Sequence, residues 1–195
     1  MTFISTGGLS IDFPANSEQN MNYFAATEDC TIHQCSMSYA EQYLDTYTGH
    51  TGPVYKLRCN PFFDKELCPI FLTCSYDWTV KVWNAKHNTG PKLTCHQIES
   101  LKEQVNDITW SPQTSSVFAS VANDGRIEIW DLKRDVLSPV FTHFDKDAQG
   151  GEIHVPKTAV KFSRNSPVIL AGTEDGKVGV YRSHGLEHVQ VSERD

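Results

Sequence analysis

Cys74-Ser75-Tyr76-Asp77-Trp78-Thr79-Val80-Lys81-Val82-Trp83 decides the fold of this chain. An apolar run ends on an aspartate, and behind it apolar and polar residues alternate until an aromatic closes the stretch. The pattern returns 47 residues later as Asp124-Gly125-Arg126-Ile127-Glu128-Ile129-Trp130, and 51 residues after that as Asp175-Gly176-Lys177-Val178-Gly179-Val180-Tyr181. Counting back 48 from Asp77 reaches Asp29-Cys30-Thr31-Ile32-His33-Gln34-Cys35, a decayed copy. A fixed period of about 48 residues with a Trp-Asp flavour marks propeller blades. One such unit cannot bury its apolar face alone, so the chain reads as stacked units.

Working outward, each unit divides into four short strands. In the second, Pro53 to Cys59 is the first strand and Asn60-Pro61 its turn; Ile70 to Ser75 is the second strand, apolar enough to be covered on both faces. Asp77-Trp78 turns the chain into Thr79 to Trp83, and Lys92 to Ile98 is the fourth strand. The third unit has Val105 to Trp110, Ser111-Pro112, Val117 to Val121 and the Asp124-Gly125 hairpin turn. The fourth has Lys157 to Phe162, Val168 to Gly172 and Asp175-Gly176; the first has Leu9 to Phe13 and Tyr23 to Thr27. A short helical turn is conceivable only at Glu99 to Glu103, and Asp145 to Gly151 reads as the longest loop. The expected architecture is all-β, about four blades of a partial propeller, with approximate bounds 5–48, 49–99, 100–144 and 152–191.

Composition narrows the function. The 195 residues are 39% hydrophobic, enough for a core, and the net charge of −7 disfavours a nucleic-acid or polybasic membrane surface. It also disfavours a direct grip on the acidic microtubule surface. No apolar run approaches the roughly 20 residues of a membrane helix, and the first residues carry no basic segment ahead of an apolar one. The six cysteines, Cys30, Cys35, Cys59, Cys68, Cys74 and Cys95, contain no Cys-x-x-Cys pair. They read as reduced thiols of an intracellular protein rather than zinc ligands, and no cofactor or metal is expected.

His50, Thr73, Asp77 and Trp83 form a constellation in the second unit. Such a set superficially resembles a catalytic triad, but no nucleophile elbow accompanies it. In WD40-type blades, which these units resemble, a His–Ser/Thr–Asp–Trp hydrogen-bond chain satisfies buried polar groups and fixes the hairpin. The third unit keeps Ser120, Asp124 and Trp130 with Leu101 near the histidine position. The fourth keeps Asp175, places Ala171 and Tyr181 at the other positions, and has His154 roughly where the histidine falls. The second blade is expected to be the most rigid.

The resemblance narrows further. Thr27 to Ser36, Tyr39, Gln42 to Tyr47, Pro53-Val54-Tyr55, Asn60-Pro61-Phe62 and Cys74 to Trp83 are similar to axonemal dynein intermediate chains, most of all because Trp78 replaces the usual glycine after the turn aspartate. Val105 to Pro112, Val117 to Ser120 and Val168 to Gly172 continue the likeness, and Tyr43 to Tyr55 looks most like the inner-arm, f-type chain. Cys30, where that family prefers glycine, and the longer loop at Glu66 to Pro69 depart from it. The resemblance implies a non-catalytic scaffold of an axonemal dynein complex that binds the heavy-chain tail and supports arm assembly and ciliary motility. It implies a second intermediate chain and light chains as indirect partners, an indirect microtubule association, and an address in the cytoplasm, the cytoskeleton and the ciliary axoneme. A generic WD40 adaptor of another complex is the alternative. That family carries more blades and an N-terminal extension, so a fragment or short isoform is expected, with two open blade faces that promote self-association. An enzyme working through a central channel is disfavoured because Val54, Leu57, Ile108 and Val160 on the first strands are apolar.

The candidate partner-binding residues are Trp78, Tyr76, Phe62, Phe63, Arg58 and Arg126. Trp78 at a hairpin tip is either an exposed anchor, as aromatics at interfaces often are, or a plug on its own loop. Phe62 and Phe63 pose the same choice. Arg58, Lys81, Arg126, Lys133 and Arg134 read as a solvated face, or as a salt-dependent grip on an acidic partner.

Overall fold

The computed structural model describes residues 6–14, 22–39, 42–62, 70–85, 90–96 and 103–183. The first sheet holds β1 (Gly8–Asp12), β2 (Asn22–Thr27), β3 (Ile32–Ser36) and β4 (Asp45–Tyr47) in that order. The second holds β5 (Val54–Cys59), β6 (Ile70–Ser75), β7 (Thr79–Asn84) and β8 (Leu93–His96). The third holds β9 (Val105–Trp110), β10 (Val117–Ala122), β11 (Ile127–Asp131) and β12 (Phe141–His143). A hairpin follows, β13 (Asp145–Lys146) with β14 (Glu152–Ile153), and then the three-stranded sheet β15 (Lys157–Phe162), β16 (Val168–Thr173) and β17 (Val178–Arg182). Each sheet is an antiparallel meander, which we call blades 1 to 4.

Two expectations are adjusted. Asp145 to Gly151 is not a loop throughout: Asp145 pairs with Ile153 and Lys146 with Glu152, while Asp147 Oδ1 accepts the Gln149 and Gly151 amides and closes the tip. The Glu99–Glu103 turn lies outside the described residues apart from Glu103, as does the part of blade 4 beyond residue 183.

The core lies between blades, because strand alternation splits each sheet into two apolar faces. Leu72, Cys74, Val80 and Val82 of blade 2 pack on Val105, Ile108, Trp110, Phe118 and Trp130 of blade 3. The opposite face of blade 2, Phe71 and Trp83 with Val54 and Leu57, meets Phe24, Ala26, Ile32 and Tyr47 of blade 1. Ala119, Val121, Ile127 and Ile129 of blade 3 meet Val160, Ile169 and Ala171 of blade 4. Each blade thus has a leading face, turned to the blade before it, and a trailing face, turned to the blade after. Fully burying one such aliphatic side chain contributes about 1.5–3 kcal/mol.

Polar ties between neighbouring first strands complete each junction. The Asp12 carboxylate accepts the Cys59 amide (2.8 Å), Trp110 Nε1 donates to the Arg58 carbonyl (3.0 Å), and the Asp107 carboxylate accepts the Val160 amide (2.9 Å). Burial pushes the Asp107 carboxyl up, against the pull of the Val160 amide.

The first strands differ from their expected role. Val54, Leu57, Ile108 and Val160 point into the inter-blade cores, not at the axis. An open groove of about 440 Å³ nearby has a mixed lining, with Lys56, Gln104, Asn106, Thr158 and Glu174 beside Leu9, Tyr55 and Pro156. The apolar character of these first-strand residues therefore reflects packing between blades. Among the described residues no group of three or more His, Cys, Asp or Glu is placed to hold a metal.

Candidate functional site

Blade 2 joins its four polar residues into one chain. His50 Nδ1 lies 2.8 Å from Asp77 Oδ2 and His50 Nε2 lies 2.7 Å from Thr73 Oγ1, while Trp83 Nε1 donates to the same Thr73 oxygen at 2.8 Å. A carboxylate only accepts, so Nδ1 carries the proton of the neutral ring and Nε2 accepts from the Thr73 hydroxyl. Burial keeps the ring neutral by lowering the His50 pKa, with Asp77 opposing. Burial also pushes the Asp77 carboxyl up, but donors from His50, Thr79 and the Thr51 amide outweigh it and hold it well below the carboxylate range. Thr73 is fully buried, so its hydroxyl is closed to solvent, and the hydrogen-bond chain ties the β6–β7 hairpin to the segment before β5.

Blade 3 closes the same space differently. Trp130 Nε1 donates to Ser120 Oγ (3.2 Å), and Ser120 donates to Glu128 Oε2 (3.1 Å). Arg126 Nε lies 3.3 Å from Glu128 Oε1 and its Nη1 3.2 Å from Asp124 Oδ2. Burial raises the Glu128 carboxyl, and the Arg126 guanidinium pulls the other way. Glu128, ion-paired with Arg126, thus takes the contact on Ser120 that His50 makes on Thr73 in blade 2. Arg126 is fully buried, so neither the solvated face nor the partner grip read from the sequence describes it. Lys81 is also buried, whereas Lys133 and Arg134 are exposed.

Blade 4 uses a third arrangement. Tyr181 donates its hydroxyl to Asp145 Oδ1 (2.7 Å), and buried Lys157 donates to Asp145 Oδ2 (2.5 Å). Burial and then Asp145 raise the Tyr181 hydroxyl. His154 does not reach Asp175; its Nδ1 lies 3.1 Å from the Asp124 carbonyl of blade 3. Asp175 pairs instead with Lys177.

The hairpin tips share one backbone geometry. The residue after the aspartate has positive φ in every blade: Cys30 at 68°, Trp78 at 69°, Gly125 at 91° and Gly176 at 83°. Glycine adopts this left-handed region freely, whereas a side chain there costs about 1–2 kcal/mol. A bulky residue at such a φ is a true outlier, and the inference runs from the outlier to function. Trp78 is 46% exposed and Tyr76, on the other side of half-buried Asp77, is 55% exposed. Trp78 is thus half-exposed at its tip. Phe62 is also exposed, its amide held by Asn60 Oδ1 at 2.9 Å, and Arg58 is half-buried with Nη1 on the Leu57 carbonyl. Phe63 lies outside the described residues.

Trp78 and Tyr76 therefore stand together at one tip, and Arg126 is not part of any surface. The half-buried Lys157–Asp145–Tyr181 cluster was not legible in the sequence, since it depends on a hairpin folding back from the loop before β15.

Comparison with known proteins fits this geometry. The family described as WD domain, G-beta repeat matches residues 41–84 and 91–131. Dynein axonemal intermediate chain 4 of Homo sapiens is 41% identical over 167 residues, 86% of this chain and 18% of that protein. Dynein intermediate chain 2, ciliary, of Heliocidaris crassispina is 33% identical over 88% of this chain and 23% of its own length. The 78 kDa intermediate chain of the flagellar outer arm of Chlamydomonas reinhardtii is 29% identical over 89% of this chain and 24% of its own. This chain spans about a fifth of the length of these relatives. In fold alone it is similar to the computationally designed Ika4 protein, with a TM-score of 0.66 at 21% identity over 94% of this chain and 96% of that one.

Proposed function

Since the chain carries WD40 repeats and is homologous to the axonemal dynein intermediate chains, we propose that it is a non-catalytic scaffold subunit of an axonemal dynein complex. In this reading it binds the heavy-chain tail, meets a second intermediate chain and light chains indirectly, and supports arm assembly and ciliary motility at the axoneme. The observation that carries the reading is a likeness running through nearly the whole chain rather than one blade. Fold alone would not license it, because propellers host many functions.

The surface assigned to the partner is the tip bearing Trp78 and Tyr76. Two exposed aromatics there, one in a backbone conformation that disfavours its own side chain, supply the rigid anchors that interface hot spots use. Phe62 and Arg58 extend that surface as secondary contacts.

The test is affinity purification of the endogenous protein from ciliated cells with mass spectrometry of what accompanies it. Dynein heavy chains, another intermediate chain and light chains are expected, and the heavy chain recovered names the arm. Ubiquitin-ligase or transport subunits in their place would move the reading to a generic WD40 adaptor.

A further inference from the structure

Three serines stand directly before proline, at Ser111-Pro112, Ser138-Pro139 and Ser166-Pro167. The fold treats them differently. Ser111 is buried, and its Oγ accepts the Gln113 and Thr114 amides at 3.2 and 3.3 Å. Ser166 is half-buried and donates to Ser163 Oγ at 2.7 Å; its carbonyl accepts the Val168 amide, and the Pro167 carbonyl accepts the Ser183 amide. Both steps are thus held in turns between a first strand and the strand that follows it.

Ser138 lies in the connection between β11 and β12, residues 132–140, and is exposed together with Leu137 before it, itself 76% exposed. The start of this connection is fastened: the Arg134 and Asp135 amides donate to the Asp131 carbonyl, and Asp135 Oδ1 accepts the Leu137 amide at 2.8 Å. Its end is fastened by the Val140 amide on the Ile129 carbonyl. Between these anchors, Pro139 has no amide proton and biases Ser138 toward extended backbone, the shape in which a kinase cleft takes a peptide segment. Blade 3 packs on blade 2 with one face and on blade 4 with the other, so Ser138 is exposed with both neighbouring blades in place.

We propose that Ser138 is a phosphorylation site, the acceptor for a proline-directed serine kinase that uses ATP. Ser138 Oγ attacks the γ-phosphorus and its proton passes to the catalytic carboxylate of the kinase. The Oγ–P bond forms as the bond to the bridging oxygen breaks, and ADP leaves. The phosphate brings about −1.5 to −2 charges at pH 7 into a loop whose exposed Lys133 and Arg134 are cations able to pair with it. It also sets that charge beside exposed Leu137 and Val140, and so turns an apolar stretch of the blade 3 rim anionic. The inference stands on the fold of blade 3 and does not depend on the dynein reading.

The test uses the native protein, purified from cells that express it and first treated with phosphatase. It is incubated with ATP and a proline-directed serine kinase, and tryptic peptides are read by mass spectrometry. Synthetic peptides around each of the three Ser-Pro steps are given to the same kinase, chosen so that it labels all three in free form. In the native protein, peptide 135–146 is expected to gain one phosphate, with fragment ions placing it on Ser138 rather than on Thr142, the other hydroxyl of that peptide. Ser111 and Ser166 are expected to stay unmodified while the protein is folded. Ser138→Ala is expected to lose the label from this peptide with unchanged circular dichroism. A native Ser138 that stays unmodified while its free peptide is labelled overturns the proposal. Label that persists on Thr142 in Ser138→Ala, or that reaches Ser111 or Ser166 as fast as Ser138, overturns it as well.

Discussion

Thr73 Oγ1 stands 2.7 Å from His50 Nε2 and 2.8 Å from Trp83 Nε1, so one hydroxyl serves two buried ring nitrogens from opposite sides. Thr73→Val keeps the shape and removes both contacts. Each stranded buried group costs about 1–3 kcal/mol, so a loss of roughly 2–5 kcal/mol is expected. Thr73→Ser should recover most of it. Urea denaturation with matched slopes checks both.

The His50 ring also sets a pH response. Its folded pKa lies below the usual 6.5, so the unfolded chain takes up the proton first. Stability from this group is complete above about 6.5 and falls as pH drops from there toward the folded value. Asp77 has the same sign at lower pH, since its carboxyl is held down in the fold. Melting temperature against pH should show the first decline in the wild type, and His50→Asn should flatten it.

Arg126 and Glu128 make a sharper case, because both are buried. Arg126→Met leaves the Glu128 charge without its guanidinium, and breaking a buried pair on one side costs about 3–5 kcal/mol. The double variant Arg126→Met, Glu128→Gln should lose clearly less than Arg126→Met alone. A double-mutant cycle in urea reads the difference. Additive losses would mean that the two side chains act separately.

Two tip glycines separate backbone strain from steric conflict. A Cβ on Gly125 would stand 2.7 Å from the Val155 carbonyl oxygen, whereas one on Gly176 meets nothing within 4 Å. Both have positive φ. Gly176→Ala should cost about 1–2 kcal/mol from conformation alone, and Gly125→Ala should cost more, read as a larger fall in urea midpoint.

Trp78→Gly is the substitution that divides stability from binding. It relieves the strained φ of 69° and gives up a half-exposed side chain. The denaturation midpoint should stay within about 1 kcal/mol of the parent or rise, while heavy-chain capture falls. A stability loss of several kcal/mol would instead assign the indole to packing.

The repeat was legible because period and strand alternation are written locally: Asp77, Asp124 and Asp175 mark the turns, and the residues that follow alternate. The structure extends the blade pattern to blades 1 and 4, beyond the two stretches that match the WD-domain family. Those outer blades have Ala25 and Ala171 where blade 2 has Thr73, so the polar signature is gone while the apolar register persists. The blade 2 tetrad could be read directly, since spacing alone brings its members together. The Arg126–Glu128 substitute could not be read so. Charged residues at alternating strand positions look solvent-facing until the neighbouring blade covers them. The first strands misled for a related reason: Val54, Leu57, Ile108 and Val160 are taken up by the cores between blades, which only the packing of neighbouring blades reveals.

The polar ties between blades sit at different strand positions from junction to junction: Asp12 to Cys59, Trp110 to Arg58, Asp107 to Val160. A repeat array built on apolar contact alone would let any blade settle beside any other during folding. Here a blade that docks out of turn strands a buried donor or acceptor, at about 1–3 kcal/mol each. The junctions thus act as keyed joints, each first strand carrying the polar partner that its own neighbour needs.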